Sequence, residues 1–163
     1  MTTIMPRLDL SPDSSLLVLK IGEPSNNDLS VIVIEAKPGT GVIETELGPA
    51  HPIEPDATSR AFEFIWWNYV AYSVRNESYW QQEDGQLPEA SLSGVKTASA
   101  FLAYVSATTF ATDDYPGRLM HWFLNTDWHC IDVVSDTAPE VRELSPEEIL
   151  EVQAAGPIGH RSS

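Results

Sequence analysis

Between residues 15 and 36 the apolar positions fall into two short β-branched runs, SLLVLKIG (15–22) and LSVIVIEA (29–36), separated by the turn-forming EPSNND. Runs of that length bounded by Pro, Asn and Asp predict a β-hairpin. KPGTG then supplies a turn before VIETEL (42–47). There Val42, Glu44 and Glu46 alternate with Ile43, Thr45 and Leu47, the pattern of an edge strand with one charged face. GPAHPIEPDATS (48–59) holds three prolines and no period, so it reads as an extended connection between two halves of one sheet.

The next run, RAFEFIWWNYVAYSVRNESYW (60–80), places Phe62, Phe64, Trp66, Val70, Tyr72 and Val74 on one period-2 phase. Glu63, Ile65, Trp67, Tyr69, Ala71 and Ser73 take the other; helical spacing also aligns Phe62, Trp66, Tyr69 and Val70, so a strand ending near Trp67 is the alternative, and aromatic and β-branched enrichment favours strand throughout. Residues 82–94 read as loop. VKTASAFLAYVSATTF (95–110) carries Val95, Phe101, Leu102 and Val105 at helical intervals among alanines, which predicts a central helix packed on the sheet. After the DDYPG turn (113–117), HWFL and HCIDVVS flank the turn-like NTD and form a second predicted hairpin. LSPEEILEVQAAG (144–156) offers Ser145 as N-cap, Pro146 at the first helical position and Glu148 three residues after the cap, predicting a helix over 146–155.

These elements amount to one α+β domain over 1–163: a mostly antiparallel sheet of about five to seven strands, the 95–110 helix across one face, and loosely ordered ends at 1–13 and 157–163. With 163 residues and five each of Trp, Tyr and Phe, one packed core is expected. No run approaches the roughly 20 apolar residues of a membrane-spanning helix. The N-terminus lacks the basic and apolar regions of an export signal. The single cysteine, Cys130, rules out an internal disulfide, and the expected location is the cytoplasm.

Charge changes the picture most. Nine Lys and Arg against 24 Asp and Glu give a net charge of -15. That field disfavours direct nucleic-acid and anionic-membrane binding and accelerates encounter with a basic partner. Ten of the acids lie beyond residue 112, and with an exposed Trp122 or Trp128 such a face has the makings of a protein-binding surface. Asp113, Asp114, Trp122, Asp127, Trp128 and Asp136 are therefore the candidate partner-contacting residues.

Enzyme signatures are sparse: no glycine-flanked serine elbow, dinucleotide fingerprint or phosphate loop is present. HWFLNTDWHC (121–130) gathers two histidines and the cysteine, and in the predicted hairpin His121 and His129 are cross-strand neighbours. His129 and Cys130, being adjacent on a strand, point to opposite faces and cannot easily share a metal ion, so no metal and no cofactor are expected. Cys130 reads as a buried small hydrophobe. YSVRNESYW (72–80) concentrates polar groups where an apolar strand ends; it reads as a turn held by an Arg75–Glu77 contact and Asn76 capping, or as a site. A small-ligand or hydrolytic pocket would draw on Arg75, Glu77, Tyr79, Trp80, His121 and His129.

A short acidic chain, rich in tryptophan, α+β in pattern and without catalytic spacing, resembles the small immunity proteins of bacterial toxin systems. YVAYSVRNESYW and HCIDVVS also resemble pieces of an uncharacterised bacterial family. The first resemblance implies a non-enzymatic protein that neutralises a cognate toxin by covering its active or substrate surface, the toxin frequently being a basic nuclease. The sequence also admits a homodimer that buries the aromatic face.

Overall fold

The structure is a computed structural model, describing residues 4–22, 25–81, 83 and 91–155. It is α+β and mostly antiparallel. Its strands are β1 (Ser15–Ile21), β2 (Leu29–Pro38), β3 (Ile43–Thr45), β4 (Gly48–Ala50), β5 (Ile53–Glu54), β6 (Ala61–Trp66), β7 (Ala71–Asn76), β8 (Ser93–Lys96), β9 (Met120–Asn125), β10 (His129–Ser135) and β11 (Glu140–Glu143). The helices are α1 (Ala100–Thr108) and α2 (Pro146–Ala154). The first sheet has the order β1-β2-β6-β11, with β5 pairing on β2; the second has the order β7-β10-β9-β8.

The two sheets pack face to face. Leu16, Leu29, Val31, Val33, Phe62, Phe64 and Trp66 from the first interlock with Met120, Trp122, Leu124, Ile131 and Val133 from the second. Each sheet also buries part of its outer face under a helix. Ile149 and Val152 of α2 cover Ile32, Ile34 and Ala61, whereas Phe101, Leu102 and Val105 of α1 cover Leu119 and Val134. The layers therefore run helix, sheet, sheet, helix.

Several sequence expectations need correction. One sheet becomes two because the aromatic run 60–80 is not a continuous strand: it leaves the first sheet after Trp66, turns at Asn68 (φ 58°) and enters the second as β7. Asparagine tolerates that left-handed backbone better than most side chains. The helix expected over 95–110 begins only at Ala100. Ser99 caps it by accepting the Leu102 N–H at 3.0 Å, while Val95 and Lys96 pair with Trp122 and His121 as part of β8. VIETEL does not edge either main sheet; β3 folds onto β4 as a separate ribbon, so the presumed plain connection 48–59 holds β4 and β5. β11, which closes the first sheet beside β6, had no counterpart in the sequence reading. Residues 4–14 form no strand or helix, yet Met5 is buried and Leu8 and Leu10 pack on the core, so that part of the expected loose end is anchored. The expected tail 157–163 lies outside the described residues. The β1-β2 and β9-β10 hairpins and the capping box at Ser145–Glu148 form as expected.

Candidate functional site

Alternation on the second sheet sends Ser73 and Arg75 (β7), Cys130 and Asp132 (β10), His121 and Phe123 (β9) and Lys96 (β8) to the outer face, as the cross-strand pairs Asp132↔Ser73, Asp132↔Phe123 and Lys96↔His121 require. Helix α1 covers one end of this face, and Phe123 and Cys130 farther along it are buried as well. At the edge of the covered part runs a chain of polar contacts. Arg75 Nη2 donates to Asp132 Oδ2 at 2.9 Å, His121 Nε2 lies 2.6 Å from Asp132 Oδ1, and His121 Nδ1 lies 2.7 Å from Ser99 Oγ. Both His121 and Asp132 are almost fully buried, whereas Arg75 is half exposed. Burial alone would push the Asp132 carboxyl up; the hydrogen bond and charge of His121, together with Arg75, outweigh it and hold the carboxyl below its ordinary range. An ionised carboxylate only accepts, so Nε2 of His121 carries the proton and donates to Asp132, while Nδ1 shares a hydrogen bond with the Ser99 hydroxyl.

Hydroxyl, imidazole and carboxylate in series have the connectivity of a hydrolytic triad. The local structure points elsewhere. Ser99 Oγ already accepts the Leu102 N–H as the cap of α1, and Ser99 is not among the residues lining the adjacent recess. A nucleophile must reach its substrate, and this hydroxyl faces its own helix and His121. The arrangement fastens the start of α1 to the sheet through a buried, satisfied polar chain.

Two recesses adjoin across Trp80. The first, about 170 Å³, is lined by Arg75, Trp80, Glu83, Lys96, His121 and Asp132 among others. Here the Glu83 carboxylate accepts the Ala100 N–H at 2.5 Å at the start of α1, a favourable place for negative charge. The second recess, about 330 Å³, is lined by Glu77, Trp80, Leu92, Asn125, Asp127 and Cys130 among others. Around it the 3-10 turn Glu77–Tyr79 and the β9-β10 turn are joined by the Glu77 N–H donating to the Trp128 carbonyl at 3.1 Å. Asp127 is held from behind by Ser15 Oγ at 2.8 Å and by its own N–H on the Leu16 carbonyl at 2.9 Å. Trp128 and Tyr79 stand out from these anchored turns, 69% and 83% exposed.

The structure thus divides the sequence candidates differently. Arg75, Trp80 and His121 line one recess; Glu77, Trp80 and Asp127 line its neighbour, with Tyr79 and Trp128 exposed on the turns beside it. Asp113 and Asp114 are exposed on the turn before β9, toward the opposite end of the sheet, and Asp136 is half-buried against Gly117. Trp122 is corrected outright: it is fully buried between the sheets, with Nε1 donating to the Ser135 carbonyl at 3.2 Å, and can touch no partner.

The His121–His129 pairing is also corrected. Thr126 to Trp128 shift the phase between the strands, so His121 faces Val134 across the ladder and Trp122 faces Val133, while His129 pairs with Asn76. His129 consequently shares the inner phase of Ile131 and Val133, away from His121, with a buried Nδ1 that has no hydrogen-bond partner. Arg75 pairs with Asp132, not Glu77, although Asn76 does cap the turn, its Oδ1 accepting the Ser78 N–H at 2.9 Å. Cys130 is buried.

Sequence reasoning missed Asp132 and Ser99. The signal for Asp132 was a lone acid inside the apolar run CIDVV; for Ser99 it was a serine immediately before AFLAYV, a cap position. Among the described residues no three or more His, Cys, Asp or Glu side chains are grouped to hold a metal ion, and no helix is long and apolar enough to cross a membrane. Compared with protein-family models, curated proteins and solved structures, the chain matches none, and the reading of its function rests on its own residues.

Proposed function

We propose that this chain is a non-enzymatic, acidic protein-binding module of the immunity type, which neutralises a basic toxin domain by covering its working surface. The observation that carries the reading is the anchored surface of Tyr79 and Trp128 beside the carboxylates of Glu77 and Asp127. Trp and Tyr are the side chains that most often dominate interface energies, and well-fixed turns reduce the ordering cost of binding. The net charge of -15 supplies the complementary steering of a basic partner. The cytoplasm suits such a role and the lone buried Cys130.

The test is capture from the native host on the tagged chain, with elution by rising salt and identification by mass spectrometry. Recovery of one basic protein that salt releases supports the reading; absence of any salt-released basic protein removes it.

A second reading is favoured by the half-exposed Arg75 joined to the buried Asp132 and His121 beside an open recess: a small-ligand-binding or hydrolytic domain. Thermal-shift screening against Arg75→Ala decides it. A ligand that stabilises the native chain and not the variant supports this reading, and a screen without such a ligand counts against it.

A further inference from the structure

At the end of the second sheet opposite Trp128 lies a third recess, of about 290 Å³, whose lining includes Phe110, Tyr115, Tyr69, Asn27, Asn68 and Thr109. Phe110 and Tyr115 are 86% and 68% exposed, the former just past the end of α1 and the latter in the following turn. Water contact with two rings so close in sequence has no folding rationale, since neither belongs to a core cluster. The wall behind them is built firmly. Asn27 and Asn68, from two separate turns, both adopt left-handed backbone (φ 65° and 58°), and the Tyr69 N–H donates to the Asn27 carbonyl at 3.1 Å. Side chains other than glycine in that conformation cluster where structure holds a surface in a particular shape. Tyr69 is steadied in turn by an edge contact with Tyr72 at 5.6 Å.

Charge decides what such a recess would take. Between Phe110 and Tyr115 the chain presents Asp113 and Asp114 on a tight turn, closed by reciprocal hydrogen bonds between Thr112 and Tyr115 at 2.7 and 3.0 Å. Among the described residues no cationic side chain lines the recess; Arg118 lines a different one, which it shares with Asp113. Aromatic faces attract cations through their quadrupole, and adjacent carboxylates raise the local cation concentration. A purely apolar occupant would gain nothing from the two aspartates.

We infer that this recess is a receptor for an organic cation, the arginine or lysine side chain of a basic polypeptide, held by the rings of Phe110, Tyr115 and Tyr69 and steered by Asp113 and Asp114. For its source of cation the inference rests on the protein-binding reading; for its place and chemistry it rests on this recess alone.

The test uses the whole chain and an acetylated, amidated Gly-Arg-Lys-Gly tetrapeptide, followed by amide chemical shifts in NMR, with choline chloride as the free-cation arm. The expected result is saturable movement of Asn68, Tyr69 and the 109–115 amides. Affinity should fall about tenfold in Phe110→Ala/Tyr115→Ala, recover in Phe110→Ala alone relative to the double variant, and stay unchanged in Leu150→Ala, an exposed apolar side chain on α2 away from both proposed surfaces. Because both rings are largely exposed, the double variant should keep the native melting temperature, which is measured alongside. Equal affinity in the double variant, or shifts spread evenly over the acidic surface, overturns the receptor. Binding of choline without binding of peptide overturns the polypeptide source. The titration needs no native partner, so its failure beside successful host capture removes this recess and leaves the proposed function standing.

Discussion

Replacing Asp132 by alanine probes the buried polar chain that ties α1 to the second sheet. The variant loses the 2.6 Å contact to His121 and the 2.9 Å contact to Arg75. A hydrogen bond to a charged group contributes about 1.5–3 kcal/mol when buried. The His121 contact is buried and counts for about 2 kcal/mol on that scale. Arg75 is half exposed and can turn to water, so its contact is discounted to about 1 kcal/mol. The expected loss is about 3 kcal/mol at neutral pH, or roughly 6–12 °C in melting temperature for a domain of this size.

The pH dependence has a definite sign. A carboxyl held below its unfolded value contributes stability that is present above about pH 4 and disappears as pH falls through the folded value. The stability difference between native chain and variant should therefore shrink on acidification below about pH 4. Urea unfolding followed by tryptophan fluorescence measures it, at low protein concentration because the isoelectric point is near 4.4. A double-mutant cycle with His121→Ala should recover a coupling energy of about 1–3 kcal/mol. A loss below about 0.5 kcal/mol at pH 7, or a difference that does not shrink with acid, would refute the assignment of Asp132 as the charged centre of the chain.

Other substitutions follow from the same packing. Trp122→Ala should cost about 3–5 kcal/mol, whereas Trp128→Ala should change stability by no more than about 0.5 kcal/mol; equal effects in denaturant would contradict their opposite placements. Gly94→Ala would set a new Cβ 2.5 Å from the Phe123 ring, which Lys96 overlies at 5.2 Å, so a loss of about 1–3 kcal/mol in urea unfolding is expected. Ser145→Ala removes a full capping box and should cost about 1 kcal/mol, with faster hydrogen exchange confined to the start of α2 as the local sign.

Much of the fold was legible because its signals are local. Apolar, aromatic and β-branched runs with turn residues between them located β1, β2, β9 and β10, and Ser145, Pro146 and Glu148 located α2 to within a residue. What escaped depends on distant contacts. Trp66 and Tyr72 read as parts of one strand, and only the turn at Asn68 sends them to different sheets. Val95 fits a helical period as well as a strand, and its pairing with Trp122 decides for the strand. The site shows the same division. Arg75, Trp80 and His121 stood out by composition, but the phase shift in the β9-β10 turn, invisible in residue alternation, separated His129 from His121 and brought Asp132 to His121 instead. Tyr79 and Trp128, 49 positions apart in the chain, became neighbours of one recess only through the pairing of β7 with β10.

The central claim is that the face around Tyr79 and Trp128 meets a basic protein. Hydrogen exchange on the complex with the protein captured from the host tests it most directly. The account predicts new protection at residues 77–80 and 125–129, with α2 unchanged. Protection confined to α2 and the outer face of the first sheet, with those two turns exchanging as in the free chain, would contradict it.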